Sequence, residues 1–199
     1  MKKRVLALAL VYFLSPSAFS ETALELLNRA KDMIRAQNWK EASSVLQRAQ
    51  VLDPKNAEVQ YWLGRSLEGN GNPDGARIAF ERSIQLGTKQ VYPHLRLANI
   101  YLDKGDVSKA KKSFSSALDL EPKNVEARIG LALIKLDSSK SSDAIRELES
   151  LKDEAPNDTR ISAALGEAYL RQKKFANAEG ELKTALKKQP NSQALLVKL

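Results

Sequence analysis

The sequence predicts an all-α protein built from stacked helix-turn-helix hairpins. Three observations carry this expectation. Alanines at positions 42, 76, 110, 144 and 178 recur every 34 residues with no insertion. Large side chains keep the same spacing, at Leu46, Phe80, Phe114, Leu148 and Leu182. Each block between these landmarks carries two apolar stripes of helical period, separated by a turn signal. A long internal period of this kind is the mark of a solenoid, in which each unit completes its neighbour's core.

The chain divides in order as follows. Residues 1–20 precede the repeats. Lys2, Lys3 and Arg4 are followed by ten uncharged residues, Val5 to Leu14, and then by Ser15-Pro16-Ser17 and Ala18-Phe19-Ser20. A basic start, a short apolar run and small residues before a cut read as a secretory signal peptide, cleaved after Ser20. The apolar run is about half of the ~20 residues that a spanning helix needs. Cleavage predicts a periplasmic or secreted protein with no transmembrane segment. It also lowers the formal charge from +8 to +5, because three of the 32 basic residues leave. The lack of cysteine excludes a lipid anchor at an N-terminal Cys and suits an oxidising compartment.

Five blocks follow, at 23–56, 57–90, 91–124, 125–158 and 159–192. The third shows the logic. Leu95, Leu97, Ala98 and Tyr101 form one stripe. Gly105 suits the end of that helix and Asp106 the start of the next. Ala110, Phe114, Ala117 and Leu118 form the second stripe, and Glu121-Pro122 ends it. Small residues at Ala30, Gly64, Ala98, Ala132 and Gly166 allow the two helices of a hairpin to approach closely. Gly69 to Gly75 reads as the turn of the second block. Residues 193–199 read as the start of an incomplete C-terminal helix. Its leucines, exposed at the end of the array, would favour end-to-end association.

These blocks resemble the tetratricopeptide repeat (TPR) family. The resemblance rests on Leu63-Gly64, Leu67, Gly71, Ala76 and Phe80; on Leu97-Ala98, Tyr101, Gly105, Ala110, Phe114, Ala117 and Pro122; and on Leu165-Gly166, Tyr169, Ala178, Leu182, Ala185 and Pro190. It covers 170 residues. Arg29 and Lys135 depart from the pattern. Arg29 is expected on a partly solvated face, and Lys135 is expected to bury its stem and keep its charge wet. The resemblance implies a right-handed α-solenoid whose first helices line a concave groove. It places Lys31 and Arg35 of the first repeat there, with Tyr61, Trp62, Arg65 and Glu68 of the second. The same places take Ile34 of the first, Tyr92, Leu95, Arg96, Asn99 and Leu102 of the third, Ile129, Leu133 and Leu136 of the fourth, and Glu167, Leu170 and Arg171 of the fifth. Aromatic and Arg side chains dominate most binding surfaces. The groove therefore suits an extended or helical segment with apolar anchors and an acidic group; plain packing between repeats is the alternative. Trp39 is expected to pack locally in the first turn. The carboxylate clamp of some TPR proteins maps onto Leu27, Lys31, Trp62, Tyr92 and Arg96, of which only Arg96 fits.

Composition narrows the chemistry. With no Cys and one His, thiolate nucleophiles, disulfides and multi-histidine metal sites are excluded. No phosphate loop, calcium loop or nucleophile motif is present, and no cofactor is expected. His94 reads as structural. Asn157-Asp158-Thr159 matches a glycosylation acceptor that a bacterial chain would leave unused. Asp153-Glu154 has nothing to aim it into a pocket. The fourth block carries eight acids and five bases, and the fifth seven bases and three acids. Lys173-Lys174 and Lys187-Lys188 read as a solvated end face, and no nucleic-acid motif accompanies them. The sequence thus predicts a non-catalytic scaffold or adaptor of the bacterial cell envelope with a protein or peptide partner. The alternative is a structural subunit of an envelope assembly, acting through its ends or convex face. Exported proteins resembling this one serve in pilus, outer-membrane, cytochrome and exopolysaccharide assembly.

Overall fold

The computed structural model describes residues 21–136 and 141–197. The expected leader over 1–20 lies outside the described residues. The described residues form helices and connecting turns. The helices are α1 (Ala23–Arg35), α2 (Trp39–Leu52), α3 (Ala57–Gly69), α4 (Pro73–Gln85), α5 (Tyr92–Asp103) and α6 (Val107–Leu120). They continue as α7 (Val125–Leu136), α8 (Ser141–Glu154), α9 (Thr159–Arg171), α10 (Phe175–Lys188) and the single turn α11 (Gln193–Leu196). Each helix packs on the next, so that hairpin follows hairpin in an all-α solenoid.

The boundaries have local causes. Thr22 and Glu25 close a capping box on α1: the Thr22 hydroxyl accepts from the Glu25 N–H at 3.2 Å, and the Glu25 carboxylate accepts from the Thr22 N–H at 2.8 Å. Asn72 and Asp106 accept from backbone N–H groups three residues on, at 2.9 and 3.1 Å, and so start α4 and α6. The turns inside the first, second, third and fifth hairpins each use a left-handed residue. Gly71 (φ 73°) and Gly105 (φ 75°) supply it at no steric cost, while Gln37 (φ 61°) and Lys173 (φ 58°) hold the same place with side chains. Lys173 is therefore a turn residue as well as part of the basic pair.

The periodic residues are the core. Ala42, Ala76, Ala110, Ala144 and Ala178 are buried, as are Leu46, Phe80, Phe114, Leu148 and Leu182. Burying each of the large ones contributes about 1.5–3 kcal/mol. A Cβ on Gly64 would lie 2.5 Å from the Phe80 ring, and one on Gly166 would lie 2.7 Å from Leu182. The small residue and the large one thus interlock within a hairpin. A third contact crosses hairpins: Phe114 of α6 sits against Gly130 of α7.

Polar bonds repeat as well. The Tyr101 hydroxyl donates to Glu81 at 2.8 Å, and Tyr169 donates to Glu149 at 2.7 Å, two periods later. Between them, Lys135 takes the tyrosine's place and Ser115 the glutamate's. Lys135 is exposed, unlike the partly buried tyrosines at its place in the third and fifth repeats. Arg29 is partly buried and paired with Glu21. Trp39 opens α2 and packs beyond its own turn, its indole filling the space where Gly69 of α3 has no side chain.

Candidate binding face

The first helix of each hairpin shares one face of the stack, and polar bridges link these helices in series. Lys31 of α1 meets Glu58 of α3 at 2.6 Å. Glu68 of α3 accepts from Arg96 of α5 at 2.6 Å and from the Tyr92 hydroxyl at 2.9 Å. The Asn99 amide donates to Glu126 of α7 at 3.1 Å, and Arg160 of α9 lies 3.9 Å from the same carboxylate. Arg160 is held more closely by Asp158, at 2.6 Å.

Aromatic rings fill the space between α3 and α5. Tyr61 meets Trp62 edge-on with centroids 5.0 Å apart, and it meets Tyr92 at 6.0 Å. Tyr92 also packs on Phe80 at 6.0 Å, which ties the face to the core below. Cations lie over the rings. The Arg65 guanidinium is 4.8 Å from the Tyr92 centroid and 5.4 Å from that of Trp62. Lys31 stands 5.7 Å from Trp62. Arg65 and Trp62 are three residues apart and so share a helix face. The Trp62 indole N–H donates to Glu58 at 3.3 Å. The hydrogen bond from Lys31 holds Glu58 below its ordinary pKa, against an opposing push from burial. Burial, with the Glu68 carboxylate alongside, pushes the Tyr92 hydroxyl up to about 12.

The sequence-derived residues separate into groups. Lys31, Trp62, Arg65, Tyr92 and Arg96 come together as one partly buried surface. Tyr61, 7% exposed, lies beneath it and acts as its floor, while Leu95, 5% exposed, packs away from it in the core with Phe114 and Ala127. Asn99 is turned toward Glu126. Leu133 packs in the core shared by α7 to α9. Arg35 stands exposed at the end of α1, paired with Asp32 on its own helix. Sequence reasoning misses Glu58, Glu126 and Gly130. Glu58 and Glu126 hold the second place of their blocks, the place that Tyr92 holds in the third, so periodicity alone could have found them. Gly130 holds the place of Trp62 and Arg96 and leaves no side chain there.

Other features are accounted for. His94 lies on the opposite side of α5 from Tyr92 and Arg96, two residues from each and so about 200° round the helix. It lines a pocket of about 320 Å³ with Leu97, Tyr101 and Lys109. Burial lowers its pKa, against the pull of Asp119. Glu154 pairs with Arg128 at 2.7 Å, and Asp158 caps α9. Lys188 donates to Asn157 at 2.8 Å, within the glycosylation-like triplet. A pocket of about 680 Å³ opens between the α6–α7 turn and Arg160. Among the described residues, no group of three His, Asp or Glu side chains is placed to share a metal ion. No described helix is long and apolar enough to cross a membrane.

Known proteins share this architecture. Two family profiles described as tetratricopeptide repeat match the chain, one over residues 27–90 and the other over 101–168 and 135–199. No curated sequence is significantly similar. Solved structures are. YrrB, described as a TPR protein with an unusual peptide-binding site, shares 18% identity at a TM-score of 0.69, over 87% of this chain and 90% of its own. A thermophilic TPR protein of Thermus thermophilus shares 18% at 0.64, over 89% and 96%. A chain of the APC/C hetero-tetramer Cut9–Hcn1 shares 19% at 0.72 over 89% of this chain, which spans only 35% of that larger protein. At these identities the likeness is one of fold.

Proposed function

Because the chain belongs to the tetratricopeptide repeat family, we propose that it is a non-catalytic adaptor of the cell envelope, binding a peptide segment or protein face on the surface formed by α1, α3 and α5. Repeats of this family generally act as interaction modules, and YrrB is described by its peptide-binding site. The observation that carries the reading is the surface of Trp62, Arg65 and Tyr92, contributed by two successive repeats. Rings and a guanidinium that stay partly open to solvent have contact area left to offer. The basic start and apolar run of the first twenty residues support export.

A capture experiment tests this. The protein is crosslinked in an envelope extract beside a Trp62→Ala/Tyr92→Ala variant of unchanged helicity. Tyr61 is left intact because it belongs to the floor. The expected outcome is a partner caught by the first and lost by the second. Each truncation should cost about 2 kcal/mol, or roughly thirtyfold in affinity. A second reading has its own support. Leu24, Val51 and Leu52 are exposed on the first hairpin, the last two beside a pocket of about 320 Å³ shared with Glu21 and Arg48. A partner caught equally by both proteins would favour a structural subunit working through such an end.

A further inference from the structure

We infer that Arg65 is the charge-reading residue of this face and that the bound segment presents one Asp or Glu side chain to it, between Trp62 and Tyr92. The inference rests on the adaptor reading and sharpens it. Three cations occupy the aromatic surface: Lys31, Arg65 and Arg96. Two are already matched. Lys31 is paired with Glu58, and Arg96 with Glu68. Among the described residues, Arg65 has no carboxylate partner; its contacts are the two rings.

A guanidinium carries its five N–H donors in its own plane. Contact with aromatic rings uses the faces and leaves those donors to be satisfied by water or by a ligand. The rings also remove part of the water round the charge, which strengthens its pull on an anion. The matching group is planar, singly charged and rich in acceptors, so a carboxylate fits the fork in a bidentate manner. A phosphoryl group carries nearly two charges, and this surface has one to offer. The paired cations set the specificity. A second acidic group beside the first would find no unmatched cation, because Glu58 and Glu68 already hold Lys31 and Arg96, and would lose water without gaining a partner. The preferred segment therefore carries a single acid flanked by apolar residues, and an acid-rich run is disfavoured.

The test selects binders from a phage-displayed library of random peptides fused at their C-terminal ends, so that no free α-carboxylate is present. The full chain, Arg65→Gln, Arg65→Glu and Trp62→Ala are used as bait, each of unchanged helicity. The expected result is enrichment of peptides with one acid at a fixed place for the full chain, no acid preference for Arg65→Gln, and Lys or Arg at that place for Arg65→Glu. Converting the acid to its amide in a selected peptide should weaken binding at least tenfold, the loss of one charge-assisted pair. Peptides that depend on Trp62 but show no acid preference, or one that Arg65→Gln leaves intact, would overturn the inference and keep the adaptor reading. Acid-rich runs enriched over single acids would also overturn it. Peptides indifferent to Trp62→Ala, or no enrichment at all, would overturn both.

Discussion

Gly130, Gly105 and Gly180 lack the same atom for three different reasons. A Cβ on Gly130 would come within 2.3–2.7 Å of the Phe114 ring, which is fully buried and has nowhere to go. Gly105 has open space around it but a φ of 75°. Gly180 sits inside α10 with nothing within 4 Å. Alanine is therefore expected to act in opposite directions. Gly130→Ala gains helix propensity of about 1 kcal/mol but overpacks the core by about 1–3 kcal/mol, so the array should lose stability. Gly105→Ala should cost about 1–2 kcal/mol through backbone strain. Gly180→Ala should stabilise by about 0.5–1 kcal/mol. Urea unfolding followed by helicity ranks the three, and a destabilised Gly180→Ala would contradict the argument.

Helix starts are set the same way in principle but unequally in practice. The Asn72 side chain accepts from the Gly75 N–H at 2.9 Å, whereas Asn38, at the corresponding place before α2, makes no side-chain cap bond. Asn72→Ala should cost about 1 kcal/mol and Asn38→Ala much less. Equal losses in thermal or urea unfolding would mean that these asparagines act through the turn and not through the cap. The interfaces between helices show similar variation on one plan. Tyr101 and Tyr169 bind glutamates of the preceding hairpin, and the intervening unit has exchanged both residues, for Lys135 and Ser115. At an interface like that of Glu81, losing the tyrosine donor alone would leave a partly buried glutamate without its hydrogen bond. Changing both sides avoids that penalty.

Across the whole molecule these tyrosines make stability depend on alkaline pH. Burial first, and then neighbouring glutamates, push Tyr92, Tyr101 and Tyr169 up to about 12 from an ordinary 10.0. A group whose pKa is higher folded than unfolded adds stability that is complete below the unfolded value. That stability is lost as pH climbs through the folded one. The unfolding midpoint should therefore fall between about pH 10 and 12. Tyr101→Phe/Tyr169→Phe should flatten that fall, because ionisable hydroxyls are removed from two interfaces. An unchanged slope would assign the alkaline loss to other groups, such as the lysine ion pairs.

Much of this architecture is legible in the chain because its information is local and repeated. The alanines every 34 residues, the turn glycines and the caps each act within a few residues of themselves, and five copies average out exceptions such as Thr88 in a proline's place. The aromatic and Arg residues of the face are legible for the same reason, since a place in the repeat fixes a side of the helix. Pairing and depth required the tertiary structure. Lys31, Arg65 and Arg96 read alike in sequence. Yet Glu58 and Glu68 reach two of them across helices 27 and 28 residues apart and leave the third with the rings. Tyr61 and Trp62 are neighbours in the chain, but packing with Ala76, Phe80 and Leu97 buries the first and leaves the second partly open. Periodicity determined which residues share a face, because it is written along the chain. Which of them are free to meet a partner is set by distances between helices, and those exist only once the repeats are stacked.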